Sequence, residues 1–160
     1  MTVEQTAKEL WHDAYNPFSA EDPFNNNYVT GFLCTQATDN YGALLINTVN
    51  GQPSPQLIKC TPKLHYPFDK NNKWHFPSAT KILAYEKLDG TNIFRFVYSN
   101  KIGEQFVSYK TRLKPFLKSG KWGNFLDMWR DMLKKYSDLN KLPYREGFSF
   151  ELYGYLNRHL

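Results

Sequence analysis

Cysteine is scarce in this 160-residue chain: there are two, Cys34 and Cys60, and neither stands in a Cys-x-x-Cys pair. The N-terminus, Met1-Thr-Val-Glu-Gln5, is not the basic then apolar leader of a secreted protein, so a reduced, intracellular and cytoplasmic setting is expected. No apolar run approaches the roughly 18 residues that span a bilayer, which predicts a soluble protein. A Gly-x-x-x-x-Gly-Lys-Ser/Thr loop is missing too, and that disfavours a P-loop kinase or ATPase. His12, His65, His75 and His159 have no metal-ligand spacing and sit beside aromatics or charges, as structural or exposed histidines do. There is no internal repeat and no low-complexity tract.

What is abundant is aromatic carbon. Phe, Tyr and Trp make up 17% of the residues, enough to support a folded core, and the length suits one domain rather than two. Twenty Lys and Arg against fifteen Asp and Glu give a formal charge of +5. That sign suits an anionic partner such as a nucleotide or nucleic acid, although an excess of this size also serves solubility alone. The charge is local: Lys101, Lys110, Arg112, Lys114, Lys118 and Lys121 face only Glu104 between positions 101 and 121.

Thr2-Val-Glu-Gln5 has capping-box spacing, and Val3, Ala7, Leu10, Trp11 and Ala14 share a helical face. An amphipathic helix over Glu4–Tyr15 is predicted, ending near Asn16-Pro17, with a loop rich in Asn, Pro and Asp after it. Apolar runs at Tyr28–Thr35, Ala43–Val49 and Gln56–Cys60, the last two separated by Asn50-Gly51 and two prolines, predict a β-meander. Thr61–Ser78, with Pro62, Pro67, Pro77 and Trp74, is too irregular for an element and too apolar for a free linker, so it is expected to pack on the sheet. Lys81–Glu86, Asn92–Ser99 and Gln105–Lys110 predict a second antiparallel unit, with a turn at Asn100–Gly103. From Trp122, apolar residues recur at Phe125, Leu126, Trp129, Met132, Leu133 and Tyr136, predicting a second amphipathic helix over Trp122–Tyr136. In a last strand, Gly147–Tyr153, Phe148, Phe150 and Leu152 alternate with Ser149, Glu151 and Tyr153, so Glu151 points away from the apolar face.

The chemistry gathers at Glu86-Lys87-Leu88-Asp89-Gly90-Thr91-Asn92. Lys-x-Asp-Gly alone arises by chance in roughly 4% of chains of this composition, and adding Thr-Asn lowers the figure to about 0.02%. A lysine attacks phosphorus only as the free amine, so its pKa must be lowered by burial or by nearby positive charge. A strand ending in a tight turn supplies such confinement. On extended backbone, positions i and i+2 share a face, so Lys87 and Asp89 project together while Leu88 packs behind them. Gly90 permits the turn and brings backbone close to a ligand. The competing reading is a plain hairpin, in which Asp-Gly is the turn and Lys87 a solvated charge.

This run resembles motif I of the covalent nucleotidyltransferases, the superfamily of polynucleotide ligases and mRNA capping enzymes, and its Glu-Lys-x-x-Gly-Thr-Asn form is most similar to phage RNA ligases. The resemblance implies that Lys87 carries AMP from ATP, that Glu86 lies against the adenine and that Asn92 supports the steps on the RNA ends. Downstream, Phe148-Ser-Phe-Glu-Leu-Tyr-Gly154 resembles the family's third nucleotidyltransferase motif, whose glutamate contacts the nucleotide ribose, which implies that role for Glu151. Asn157-Arg158-His159 is similar to a segment of ligases with an asparagine shortly after that glutamate. Arg112, in Tyr109-Lys-Thr-Arg112, stands where the family has an arginine that contacts the nucleotide sugar or the RNA terminus, and a guanidinium fork suits those oxygens. Thr61-Pro-Lys-Leu-His-Tyr-Pro67 faintly resembles the Pro- and His-containing stretch before motif I in some ligases.

The family's fourth and fifth motifs normally lie beyond the position of Leu160, so the resemblance covers about residues 60 to 160 and implies a partial domain. The expectation is therefore an α+β fold, mainly antiparallel sheet with two amphipathic helices, forming the N-terminal part of a nucleotidyltransferase domain of ATP-grasp-like ligase type. The implied activity is ATP-dependent joining of 5′-phosphate and 3′-hydroxyl RNA ends, with Lys87 as nucleophile and Asp89 orienting Lys87 or a metal. Glu86, Gly90, Asn92, Arg112 and Glu151 would surround the nucleotide, Mg²⁺ would assist each phosphoryl transfer, and no metal ligand is assigned. A DNA ligase, a capping guanylyltransferase and a non-catalytic nucleic-acid-binding module that uses Lys110–Lys121 and exposed aromatics are the alternatives.

Overall fold

The structure, a computed structural model, describes residues 1–64, 66–76, 78–120, 123–144 and 147–154. Helix α1, Val3–Trp11, starts on the expected capping box: the Thr2 hydroxyl accepts from Gln5 N–H, and the Gln5 side chain accepts from Thr2 N–H at 2.7 Å. It stops earlier than its apolar periodicity suggests. His12 turns to a φ of 53° while its N–H still bonds Lys8 O, and the chain leaves the helix there.

The next element is a strand, β1 (Tyr15–Glu21), where the sequence reads as the end of a helix and then a loop. Its seven residues pair in unbroken antiparallel register with β2 (Tyr28–Cys34), from Tyr15 opposite Cys34 to Glu21 opposite Tyr28. Pro17 is accommodated because β1 is an edge strand, where a missing N–H interrupts no inner ladder. β3 (Leu44–Val49) and β4 (Gln52–Ile58) complete a four-stranded meander in the order β1-β2-β3-β4. Asn50 and Gly51 take φ values of 51° and 75° between the paired Val49 and Gln52, the backbone that a two-residue hairpin turn requires. β4 starts four residues before the expected Gln56 and runs through Pro53 and Pro55, again on an edge.

The second sheet has the order β6-β5-β7, formed by β5 (Thr91–Ser99), β6 (Gln105–Lys110) and β7 (Phe148–Leu152). β7 lies beside β5, and the expected strand over Lys81–Glu86 is not formed: residues 81–89 are irregular and exposed. Their apolar side chains, Ile82, Leu83 and Tyr85, find no sheet to cover. Helix α2, Phe125–Lys135, is capped by Asn124 and followed by a 3₁₀ turn over Ser137–Lys141. The Trp122 at which its periodicity begins lies outside the described residues.

The elements stack in four layers. Ala7 and Trp11 of α1 cover Cys34, Ala43 and Leu45 on one face of the meander. Its other face sets Val29, Leu33, Leu44, Ile46 and Val49 against Phe94, Phe96 and Tyr98 of β5, with Phe116 closing the cluster. Beyond, Ile93, Tyr109 and Leu152 meet Phe125 and Trp129 of α2. Each such side chain contributes roughly 1.5–3 kcal/mol when withdrawn from water. Buried polar groups are tied in as well. The Asp22 carboxylate accepts from Tyr98 Oη, Ser108 Oγ and Asn25 Nδ2 at 2.7–2.8 Å, and the Arg95 guanidinium donates to the carbonyls of Leu142 and Pro143, both at 3.0 Å. No helix among the described residues is long and apolar enough to cross a membrane.

Candidate functional site

β5 and β7 join the two sequence motifs. Asn92 lies directly opposite Glu151 in the antiparallel ladder, so their side chains leave the sheet on the same face. This is the face of Phe94 and Phe96, directed at the meander, whereas Phe150 and Leu152 point to α2. Glu151 thus points away from the apolar face of its own strand, as its alternation predicts. Asn92 Nδ2 donates to Ser149 Oγ at 2.8 Å, and Ser149 shares a 2.7 Å hydrogen bond with Thr61 Oγ1. Gly90 lies against the end of β7. A Cβ there would sit 2.3 Å from Leu152 O and 2.9 Å from Leu152 C, so only glycine permits this approach of the two backbones.

Arg112 reaches the same neighbourhood from the other side. Its Nη1 donates to Pro62 O at 3.1 Å, one residue from Thr61, and its guanidinium lies 5.0 Å from the ring centre of Tyr41. The backbone of Arg112 is held by two contacts. Gly42, at a φ of 83°, approaches so closely that a Cβ would meet Arg112 O at 2.4 Å. Lys110 Nζ, fully buried, donates to Arg112 O at 2.8 Å and to Gly42 O at 2.7 Å, and lies 3.8 Å from Cys60 Sγ. Burial lowers the pKa of Lys110 to about 8, and the Arg112 charge acts in the same direction. Lys110 therefore does not belong to an open basic surface, where its place in the Lys101–Lys121 run puts it. Lys101, Lys114 and Lys118 are exposed, and Lys121 lies outside the described residues.

Asn92 and Arg112 are thus connected through Ser149 and Thr61-Pro62, with Glu151 opposite Asn92 and Gly90 against the end of β7. Glu86, Lys87 and Asp89 are not part of that cluster: all three are exposed on the irregular stretch before Gly90. The confinement that a strand and tight turn would give Lys87 is missing, because residues 81–86 form no strand. Lys87 is nevertheless tethered. Three residues of extended chain span at most about 11 Å, so its Cα stays within that distance of Gly90. Asp89 and Glu151 are the carboxylates of this region best placed by sequence to meet a cation, but among the described residues no three His, Cys, Asp or Glu side chains gather into a metal site. The described residues alone therefore offer no preformed Mg²⁺ site.

Asn157-Arg158-His159 and His65 lie outside the described residues. Of the participants, Gly42 is the one the sequence does not single out; Lys110 stands in the basic run, Thr61 at the head of the Thr61–Pro67 stretch and Ser149 in the alternation of the last strand. Lys110 alternates with Ser108 and Phe106 on the inward face of β6, which its place in the basic run conceals. Gly42 carries no signal, because only its tertiary contact with Arg112 defines it. Scans against protein-family models, curated proteins and solved structures find no match to this chain.

Proposed function

We propose that the protein serves ATP-dependent RNA ligation, which joins 5′-phosphate and 3′-hydroxyl ends through AMP carried on Lys87. The observation behind this reading is the cross-strand pair of Asn92 and Glu151, with Gly90 against Leu152. Two motifs about sixty residues apart in sequence share one sheet face, as residues that handle the same nucleotide must. In the first step the Lys87 amine attacks the α-phosphorus of ATP. A P–N bond forms, the P–O bond to pyrophosphate breaks, and the amine loses a proton. The 5′-phosphate of RNA then takes AMP from the lysine, and the 3′-hydroxyl displaces AMP to close the phosphodiester. Arg112 and Glu151 would hold phosphate and ribose oxygens by charge-assisted hydrogen bonds. A divalent ion would arrive on the nucleotide phosphates, as Mg²⁺ commonly does.

The exposure of Lys87 favours a second reading, a nucleic-acid-binding module that performs no transfer. Incubation with α-labelled ATP or GTP and Mg²⁺ separates the two. A covalent adduct from ATP that Lys87→Ala abolishes supports the ligase; an adduct that survives this change moves the nucleophile elsewhere. An adduct from GTP alone indicates a capping guanylyltransferase. With no adduct from either nucleotide, also after extension by downstream sequence, the binding module is the better account. Sealing of labelled RNA against DNA then decides the polymer.

A further inference from the structure

The segment between β4 and β5 carries a feature that the catalytic reading does not use. Residues 67–76 fold back on themselves as a small hairpin of their own. Phe68 and Trp74 form an antiparallel bridge, and His75 N–H bonds Pro67 O at 2.8 Å. Asp69 builds the turn: its Oδ1 accepts from the N–H groups of Asn71 and Lys73 at 2.8 Å, and Oδ2 faces His75 Nε2 at 3.2 Å. These donors, that of Lys73 foremost, hold the Asp69 carboxyl below its ordinary range. The hairpin does not lie down on the sheet, contrary to what its apolar composition suggests. Phe68, Trp74 and Phe76 contact one another edge-on and tilted, at 5.1 and 5.4 Å between ring centres, and stay 51%, 52% and 43% exposed.

Three mutually braced aromatic rings left in water want a partner with flat apolar faces. The charge around them says what else the partner carries. Asp69 is the one acidic residue between Cys60 and Thr80, and its carboxylate is engaged within the turn, whereas Lys63, Lys70 and Lys73 are exposed. Stacking faces with a cationic border match a single-stranded polynucleotide, whose bases offer the faces and whose phosphates offer the charge. A duplex hides its bases, and an apolar protein surface has no use for the lysines. Both ends of the segment are fastened beside the candidate site, at Thr61 on Ser149 and at Gly90 on Leu152.

We infer that the 67–76 hairpin is a stacking platform for single-stranded RNA, with Trp74 as its principal ring and Lys70 and Lys73 on the phosphates. The choice of RNA over DNA rests on the ligase reading; the stacking itself does not. The test is fluorescence anisotropy of the full chain with a labelled ten-nucleotide oligo-U, the same sequence as DNA, and a blunt RNA duplex, over a salt series. Trp74→Ala weakens oligo-U binding roughly ten-fold or more, Trp74→Phe restores it to within about three-fold, and Lys70→Gln with Lys73→Gln flattens the salt dependence. Unchanged melting of the three variants shows that the sheets are intact. Oligo-U affinity that is indifferent to Trp74→Ala, absent altogether, or no greater than for the duplex overturns the platform. So does a concentration-dependent dimer that Trp74→Ala dissolves, which would make a second copy the occupant. Equal, Trp74-dependent binding of the DNA strand keeps the platform and counts against an RNA-specific ligase.

Discussion

Lys110 offers the sharpest test of the structure, because a buried ammonium writes its burial into the pH dependence of stability. Its pKa is 10.5 in an unfolded chain and about 8 in the fold, with loss of hydration as the main cause. Below pH 8 both states hold the proton, and keeping the charge buried costs about 3 kcal/mol. Between pH 8 and 10.5 the unfolded chain binds more protons than the folded one, so stability rises with pH. From pH 7 to 9 the gain is about 1 kcal/mol. Higher pH brings opposing groups: burial raises the Cys34 thiol from 9.0 and the Tyr98 and Tyr109 hydroxyls from 10.0. In each the unfolded chain loses its proton first, and stability falls.

The assay is urea unfolding of the parent and of Lys110→Met at pH 7, 8 and 9, followed by tryptophan fluorescence. Absolute stability of the variant is a balance, since relief of the buried charge opposes the loss of bonds to Gly42 O and Arg112 O, each worth about 1–3 kcal/mol. The slope is free of that balance. The parent should gain about 1 kcal/mol relative to the variant between pH 7 and 9, with contributions of all other groups cancelling in the difference. Parallel pH profiles would refute the buried, carbonyl-bound ammonium, and with it the clamp on the Arg112 backbone.

Gly90→Ala places a Cβ 2.3 Å from Leu152 O and should cost about 1–3 kcal/mol through displacement of β7, read as a lowered melting temperature. An unchanged melt would mean that the two backbones are not in contact. Tyr98→Phe removes the hydroxyl that donates to Asp22 Oδ2 and accepts from Asn27 Nδ2, and should destabilise by about 1–3 kcal/mol in urea titrations; less than about 0.5 would show that the network is dispensable. On the proposed ligase reading, Asn92→Ala should slow sealing of labelled RNA at least ten-fold, because Asn92 stands opposite Glu151 on the sheet face assigned to the nucleotide. Equal sealing rates would remove Asn92 from the site.

The elements that the sequence reveals are those whose burial follows one period. α2 shows its stripe because Phe125 and Trp129 must meet β5 and β6, and β6 runs over its expected residues because both of its faces are covered. β1 is hidden for the opposite reason. On an edge with only Tyr15, Phe18 and Ala20 packed against core clusters, it tolerates Pro17, Asn16, Ser19 and Glu21, which read as loop. At Lys81–Glu86 the error runs the other way: Ile82, Leu83 and Tyr85 have strand composition, but a strand exists only where a neighbour supplies its hydrogen bonds, and β7 holds the place beside β5.

The candidate site divides along the same line. The face of Glu151 is readable because alternation fixes it, whereas its place opposite Asn92 comes from the ladder register, which the sequence does not show. Lys110 is misleading because a lysine in a basic run looks solvated, and only the carbonyls of Gly42 and Arg112, from two other turns, make its burial tolerable. Lys87 is the residue for which resemblance and fold say different things: the proposed ligase reading makes it the nucleophile, while the chain leaves it exposed. The contact of Gly90 with Leu152 limits the disagreement. With one end of the motif fixed beside Glu151, bringing Lys87 inward requires ordering only Lys87, Leu88 and Asp89, at about 1–2 kcal/mol of backbone entropy per residue. That sum, roughly 3–6 kcal/mol, is within what a bound nucleotide supplies at micromolar affinity.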